Sequence, residues 1–306
     1  MIINHNLEAI FAQRQKKYND INVTKDMEKL SSSIKINRAG DDAANLAVSE
    51  KMRSNIRGSY RAEKNAEDGI SFLQTAEGYL VETLDILHRI RELAIKSSNG
   101  TNSNEEREYI QTEVKQLVDE IDRIASQAQF NGMNILTGRF AKGFDVEGIV
   151  TGSMWLHIGP RVDQRVKLFI GTMTASALKL KDINKNNEII SLETQDDANR
   201  NIGVIDYAIK RVNAQRSDIG AYQNRLESAL KKLLTEAENL QSAESIIRDA
   251  DMAEESVKLS KDLILQNSST SFIDMANNKP KVLQTLYENA KVFEGKQFLS
   301  SPYLIV

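Results

Sequence analysis

The chain has 306 residues, of which 41% are hydrophobic and 27% charged, and its 40 basic and 43 acidic side chains leave a formal net charge of −3. This balance argues against the basic footprint of a nucleic-acid-binding protein, and the absence of cysteine excludes disulfides and thiolate chemistry. The three prolines, Pro160, Pro280 and Pro302, are about 1% of the chain against a typical ~5%, which favours long uninterrupted helices.

The N-terminal part of the chain is predicted to be helical. Its first residues lack the basic and apolar regions of a secretory signal peptide, and no span reaches ~18 consecutive apolar residues, so we expect neither a cleaved signal nor a membrane helix. A first helix is predicted over residues 3–34, with a break in the serine run at 31–33. A second is predicted over 43–98, because the aspartates at 41–42 suit a helix N-terminus and the Asn-Gly pair at 99–100 suits its end.

A capping box predicts the start of a third helix. Ser103 and Glu106 have the spacing at which each side chain bonds a free backbone amide of the other residue. Behind them, apolar residues follow alternating steps of four and three until the helix is predicted to stop at residues 130–132. The stripe consists of Ile110, Val114, Leu117, Ile121, Ile124 and Ala128.

The middle of the chain differs in composition and pattern from the helical segments on either side. Seven of the fifteen glycines lie between residues 132 and 171, and short β-rich runs occupy 154–158 and 166–173. These runs predict a small region of β-hairpins that ends near Thr194, and either Thr194 or Asp196 is expected to cap the next helix.

The longest apolar stripe lies in the C-terminal half. Fourteen positions at alternating steps of three and four span residues 202–247, and only Arg216, Gln223 and Glu244 interrupt them. A 3.5-residue spacing holds one seam against a partner helix, and a helix of this span would be roughly 70 Å long at ~1.5 Å per residue. The seam, predicted to pack on the third helix, includes Ile202, Ile205, Ile209, Val212, Ile219, Leu226, Leu230, Leu233, Ala237, Leu240 and Ile247.

A final helix is predicted over 251–279, stopped by Pro280 and followed by one more short helix and an apolar tail at 298–306. The predicted fold is therefore mainly α: an elongated antiparallel helical bundle, or coiled-coil rod, built from both chain ends, with a small β-hairpin region in the middle. The predicted domains are terminal helices (1–42 with 250–306), a helical rod (43–140 with 195–249) and a β-rich insertion (141–194).

No pattern in the sequence predicts catalysis. The three histidines, His5, His88 and His157, lack metal-ligand spacing, and no phosphate-binding loop, dinucleotide signature or nucleophile–base arrangement is found. Asp41 and Asp42 could form a metal or acid–base pair, but stabilisation of a helix start is the favoured interpretation. We expect no catalytic residue, no metal, no cofactor and no enzyme activity.

Four segments resemble the signatures of bacterial flagellins, in the same order along the chain. The short middle, with SMWLHIG at 153–159 and IGTM at 170–173, resembles in particular the core flagellins of spirochaete periplasmic flagella. The four segments are LSSSIKINRAGDDAANLAVSE at 30–50, RIRELAI at 89–95, QFNG at 129–132 and RDADMAE at 248–254.

This resemblance implies a structural subunit that polymerises into a hollow helical flagellar filament for motility. The ends would carry subunit-to-subunit packing through Leu7, Phe11, Leu263 and Ile264, and they are expected to be poorly ordered in the free subunit. A hook–filament junction protein, with the same paired ends, is the first alternative and would differ in copy number. A coiled-coil binding module, which would form a discrete oligomer in solution, is the second.

The resemblance also implies partners and a location. The partners would be further copies of the chain, other flagellins, sheath proteins, filament cap and hook-associated proteins, and the flagellar export apparatus with its chaperone, but neither nucleic acid nor a membrane span. The chain would leave through the flagellar type III apparatus, for a flagellum in the periplasm. An innate immune receptor that recognises some flagellins would contact Arg89, Leu93 and Glu113. Lateral contacts between subunits are, however, the favoured role of these residues.

The chain also departs from the family. Members commonly carry glycine where this chain has Ser33 and Asn45. Asn45 is tolerated in a helix about as well as glycine or better, whereas Ser33 would be strained if its backbone had a positive φ. Members usually stop near the position of Tyr287, and the role of the extension from Glu288 to Val306 is left open.

Overall fold

The computed structural model describes residues 6–141, 152–182 and 188–297. These ranges fold into two compact units, which we name the terminal unit (residues 1–51 and 242–306) and the central unit (residues 52–241). The helices are α1 (Leu7–Ser32), α2 (Ala43–Ser98), α3 (Asn104–Gln127), α4 (Gln195–Arg248) and α5 (Met252–Gln297). Three antiparallel pairs of strands are β1 (Gln129–Phe130) with β2 (Met133–Asn134), β3 (Met154–His157) with β4 (Arg165–Leu168), and β5 (Lys181–Asp182) with β6 (Glu188–Ile189).

The predicted mainly helical fold with a small β region is confirmed, and α2 has the predicted bounds. Within the central unit, α2, α3, α4 and the hairpins share one apolar core. At its centre Phe72 is fully buried, and its ring meets those of Phe130 and Phe140 edge-on with centroids 5.5 and 5.7 Å away. Such a core supplies the burial that stabilises a domain without help from a partner.

The connection between α2 and α3 is held by polar side chains. The predicted capping box is present: Ser103 Oγ accepts from the amide of Glu106 (3.3 Å), and the Glu106 carboxylate accepts from the amide of Ser103 (2.8 Å). Arg107, buried behind the cap, donates to the carbonyls of Ser97, Asn99 and Asn102. The turn therefore has partners for carbonyls that a helix end leaves without one.

The predicted end of α3 at residues 130–132 is wrong, because α3 ends at Gln127. Asn131 and Gly132 have φ values of +49° and +73° and form the two-residue turn between β1 and β2. Two consecutive positive φ values match the right-handed twist of a hairpin, which explains an Asn-Gly pair here.

The hairpin of β3 and β4 packs one face on the core. Leu156, Val166 and Leu168 are buried, whereas Trp155 on the other face is 46% exposed. A Cβ at Gly69 in α2 would stand 2.4 Å from a methyl carbon of Leu156, so this glycine is what lets the hairpin lie close to α2. At the far end of the region Thr194 Oγ1 accepts from the amide of Asp197 (3.2 Å), as expected for a cap of α4.

In the terminal unit, the breaks after α1 and before α5 lie side by side. Ser33 ends α1 with φ +58° and ψ +21°, the left-handed conformation that makes glycine common at this position. On either side of the bridge between Ile34 and Asp249, the amide of Lys35 donates to the carbonyl of Arg248 (2.7 Å) and that of Ala250 to the carbonyl of Ser33 (3.1 Å).

Of the two aspartates before α2, Asp42 caps the helix start and Asp41 bonds the loop in front of it. Asp42 Oδ1 accepts from the amide of Asn45 (2.9 Å), and the Asp41 carboxylate accepts from the amides of Arg38 (2.9 Å) and Asn37 (3.2 Å). These bonds, above all the one from Arg38, hold the pKa of Asp41 below its ordinary value, and those from Asn45 do the same for Asp42.

The predicted stop at Pro280 is also wrong, because α5 continues through it to Gln297. Proline usually breaks a helix by leaving the carbonyl four residues earlier without its donor. Here that carbonyl, of Ala276, accepts a hydrogen bond from the side chain of Asn6 (2.8 Å). The predicted tail at 298–306 and the first residues of the predicted helix at 3–34 lie outside the described residues.

Candidate assembly interface

Helices α1 and α5 pair within the terminal unit but bury little apolar surface. The buried apolar side chains in the described part of this unit are those of Ala12, Val23, Ile36 and Ala276, two of them alanines. Many large apolar side chains of the same helices face outward. They include Leu7, Ile10, Phe11, Tyr18, Met27, Met252, Val257, Ile264, Leu265, Phe272, Met275, Val282 and Leu286.

An apolar groove of about 720 Å³ runs between the two helices. Leu7 and Phe11 line it from α1, and Leu265, Phe272 and Met275 line it from α5. Leu7, Phe11 and Phe272 are each more than 60% exposed. Because burying one such side chain contributes roughly 1.5–3 kcal/mol, the groove is suited to receive apolar side chains from another protein surface.

Polar contacts align the two helices. Asn19 Nδ2 donates to Ser269 Oγ (2.7 Å) and to the carbonyl of Leu265 (3.2 Å), and Asn19 and Ser269 are both buried. Gln266 Nε2 donates to Asp20 Oδ1 at 2.7 Å. Buried hydrogen bonds specify one alignment of a pair whose apolar contacts are few.

A carboxylate cluster opposes this pairing. Burial, followed by the charges of Asp262 and Glu255, raises the pKa of Asp26 above its ordinary value, while Lys29 and Lys258 lower it. Glu255 Oε2 is buried and has no hydrogen-bond partner among the described residues. The other oxygen, Oε1, is paired with Lys258 at 3.2 Å and with Lys29 of α1 at 3.8 Å, so the cost of this cluster at neutral pH lies in the ionisation of Asp26.

All four residues predicted to pack the ends are exposed: Leu7 (61%), Phe11 (67%), Leu263 (39%) and Ile264 (66%). Leu7 and Phe11 line the groove, whereas Leu263 and Ile264 do not. Sequence reasoning missed Phe272 and Met275. The spacing Leu265–Phe272–Met275 was the available signal, hidden by a run of serine and threonine that looks unfavourable for helix.

That run is accommodated inside α5 by local bonds. The hydroxyls of Ser269, Thr270 and Ser271 donate to the carbonyls of Leu265, Gln266 and Asn267, each four residues earlier. Such bonds satisfy the hydroxyls without interrupting the helix.

The predicted seam lies in the central unit, except for Ile247, which belongs to the terminal unit. In α3, Val118 is fully buried and Leu117 only partly, so the buried stripe steps by four where the sequence pattern placed a three. Of the predicted seam residues, the buried ones are Ile110, Val114, Ile121, Ile124, Ile205, Val212, Ile219, Leu226, Leu233 and Ala237, and the partly buried ones are Leu117, Ile202, Ile209, Leu230, Leu240 and Ile247.

The three residues of the receptor prediction do not share one exposed surface. Arg89 donates from Nε and Nη2 to Glu113 Oε1 at 3.0 and 2.8 Å, and this exposed pair raises the pKa of Arg89. Leu93 is 4% exposed and packs in the core. On the folded central unit, a partner could reach the side chains of Arg89 and Glu113 but not that of Leu93.

Among the described residues, no group of three or more histidine, aspartate or glutamate side chains is placed to hold a metal ion. His5 lies outside the described residues. None of the described helices is both long and apolar enough to cross a membrane.

Comparison with known proteins finds relatives over most of the chain. A family model described as the bacterial flagellin N-terminal helical region matches residues 3–141, and one described as the bacterial flagellin C-terminal helical region matches residues 202–286. The flagellar filament 31.3 kDa core protein of Treponema maltophilum is 57% identical over 288 residues, which cover 94% of this chain and 100% of that protein. The flagellar filament 33 kDa core protein of Treponema phagedenis is 56% identical over 286 residues, or 94% of this chain and 99% of that protein.

A solved structure is similar in fold alone. It is a putative flagellar hook-associated protein from Vibrio parahaemolyticus, with a TM-score of 0.53 and 15% identity, covering 68% of this chain and 99% of that one.

Proposed function

The chain belongs to the bacterial flagellin family, and from this premise we propose that it is a structural subunit of a flagellar filament that polymerises through its terminal unit. One observation carries the proposal. Helices from opposite ends of the sequence pair through polar contacts and leave an apolar face, with a groove, directed outward.

The energetics favour assembly over monomeric stability of the ends. Burying four side chains such as Leu7, Phe11, Phe272 and Met275 would contribute roughly 6–12 kcal/mol at 1.5–3 kcal/mol each. Association costs about 4–15 kcal/mol in lost freedom, so a single such contact is marginal. A subunit that contacts several neighbours at once gains more free energy from burial than association costs. A polymer built from such subunits grows from seeds, because a lone pair of subunits is only marginally stable.

The central unit supplies the part of the subunit that needs no neighbour. Its seam, from Ile110 and Val114 on α3 to Val212 and Leu226 on α4, closes the chain on itself before assembly. In this proposal the helical domain (43–140 with 195–249) is stable without a neighbour. The terminal helices (1–42 with 250–306) complete their packing in the filament. The segment 141–194 contributes the hairpins of β3 with β4 and of β5 with β6.

A location and partners are also proposed. The source organisms of the relatives are species of Treponema, so we infer that the filament is a periplasmic flagellum and that the chain is exported by the flagellar type III apparatus with its chaperone. Other flagellins, sheath proteins, the filament cap and hook-associated proteins are the further partners. The chain acts as a structural element and carries no enzyme activity.

A hook–filament junction protein is the second candidate, favoured by the similarity in fold to a hook-associated protein. The two functions differ in stoichiometry, because a filament subunit is present in thousands of copies per flagellum and a junction protein in about a dozen. Quantitative mass spectrometry of isolated flagella separates them.

Seeded polymerisation tests the main proposal. Purified subunits are mixed with filament fragments and the polymer is measured by sedimentation and electron microscopy. Phe11→Ser, which removes an exposed apolar side chain of the groove, is expected to raise the critical concentration about tenfold or more. The control is Val162→Ser, because Val162 is 86% exposed but lies in the central unit. Absence of polymer from the wild-type chain, or equal effects of the two substitutions, would contradict the proposal.

A further inference from the structure

Helix α5 contains a proline where a helix should not tolerate one. Pro280 has no amide hydrogen, so it cannot donate to the carbonyl of Ala276 one turn earlier. Ala276 is buried at 7% exposure, and a buried carbonyl without a donor carries a free-energy cost. The continuity of α5 therefore needs a donor from elsewhere.

The side chain of Asn6 provides that donor from the other end of the chain. Its Nδ2 donates to the carbonyl of Ala276 at 2.8 Å. Its Oδ1 meanwhile accepts from the amide of Ala9 at 3.1 Å and so caps α1. One amide group thus completes the start of α1 and the interrupted turn of α5, and asparagine suits both tasks because it carries an acceptor and a donor on the same carbon.

We propose that Asn6 is a cross-helix cap that makes Pro280 compatible with a continuous α5 and joins the start of α1 to α5 at Ala276. The neighbouring pair of Lys279 and Glu8, 2.6 Å apart, lies beside this contact but is exposed and contributes little. The cap holds Leu7 and Phe11 opposite Met275 and Phe272, and so maintains the groove in which these four side chains meet.

A double-mutant cycle on the full-length monomer tests this role. Asn6→Asp keeps the capping oxygen and the shape of the side chain but removes the donor, and Pro280→Ala returns an amide hydrogen to α5. The readout is hydrogen exchange of the backbone amides at 272–279, measured in the four combinations. In the Pro280 background, Asn6→Asp is expected to speed exchange about five- to tenfold, the equivalent of one hydrogen bond. In the Pro280→Ala background the same change is expected to alter exchange less than about twofold, because the introduced alanine then supplies the donor from its own backbone amide.

Asn6→Ser is the neutral control, since it keeps a capping oxygen, lacks the amide donor and adds no charge near Glu8. It should follow Asn6→Asp in both backgrounds. Equal effects of the Asn6 changes with and without Pro280 would overturn the proposal, as would the absence of any effect with Pro280 present. None of these outcomes depends on polymerisation, so the test is separate from that of the proposed function.

Discussion

The two compact units of this chain differ in where they keep their apolar side chains. In the central unit, residues such as Phe72, Leu80 and Val212 are fully buried in one continuous core. In the terminal unit, Phe11, Phe272 and Ile264 are each more than 60% exposed, and the helix pair is held by polar contacts. The same helix-forming chemistry therefore yields one unit that buries its apolar side chains in a single copy and one that leaves an apolar face exposed.

The largest expected effect comes from removing a core ring. Phe72→Ala should lower the free energy of unfolding of the central unit by about 3–5 kcal/mol, through lost burial and the cavity left between Phe130 and Phe140. Phe11→Ala is the matched change in the terminal unit and should alter monomer stability by less than about 0.5 kcal/mol. Urea unfolding of the monomer, followed by circular dichroism, measures both. If the two substitutions cost the same, the contrast between the units is wrong.

Glycine substitutions at Ser33 and Asn45 are expected to change the stability of their helices in opposite directions. Ser33→Gly should stabilise the end of α1 by about 1 kcal/mol, because Ser33 holds a left-handed conformation that glycine adopts freely. Asn45→Gly should destabilise α2 by a few tenths of a kcal/mol to ~1, because residue 45 is helical and the Asn45 side chain bonds Asp42. The resemblance to flagellins predicts glycine at both positions, so the resemblance alone would give the two changes the same sign. Thermal unfolding of both variants decides between these expectations.

A smaller effect is expected at the carboxylate cluster of the terminal unit. The pKa of Asp26 is higher in the folded chain than its ordinary value of 3.8, so ionisation costs more in the folded than in the unfolded state. The contribution of Asp26 to stability is accordingly greatest below the ordinary pKa and is lost as pH rises through the raised value. Asp26→Asn should strengthen the α1–α5 pair at pH 7 and lose that advantage as the pH falls toward 4. The difference in hydrogen exchange of α1 between variant and wild type, measured against pH, would show no such trend if Asp26 were unperturbed.

The smallest effect is expected at the exposed ion pair of the central unit. Arg89→Ala should leave the free energy of unfolding nearly unchanged, because both partners are solvated. Leu93→Ala, four residues along the same helix, should cost about 2–5 kcal/mol because Leu93 is buried. Receptor-signalling assays on Leu93 variants would therefore report unfolding, whereas Arg89→Asp would test receptor contact without that complication.

A structural feature could be predicted from the sequence when the residues that cause it are neighbours in the chain. Each end of α2, and the capping box at Ser103 and Glu106, depends on signals within a few residues of that position, and all of them were predicted. Two predictions failed for different reasons. The end of α3 was displaced by an Asn-Gly turn that could end a helix or form a hairpin, and the choice between them depends on tertiary packing. The continuation of α5 through Pro280 depends on Asn6, which lies far away in the sequence and cannot be inferred from local pattern.

Prediction of the groove residues was limited in the same way, because their contacts are also distant in the sequence. The stripe at 202–247 has regular spacing, and its apolar residues from Ile202 to Leu226 pack in the core of the central unit. The faces of α1 and α5 have weaker patterns, interrupted by polar residues such as Asn19 and Ser269 that pair with each other only after folding. Sequence pattern identified Leu7 and Phe11 as end residues but not Phe272 and Met275, which complete the groove.

Native-state hydrogen exchange of the full-length subunit, before and after seeded polymerisation, tests the central claim most directly. In the monomer, amides at 70–95 of α2 and 110–125 of α3 should exchange only through global unfolding, and those of α1 and α5 should exchange about 100-fold faster or more. On polymerisation, α1 and α5 should become as protected as the central unit. If α1 and α5 were already as protected as α2 and α3 in the monomer, and unchanged in the polymer, the terminal unit would not be the part of the chain that assembly completes.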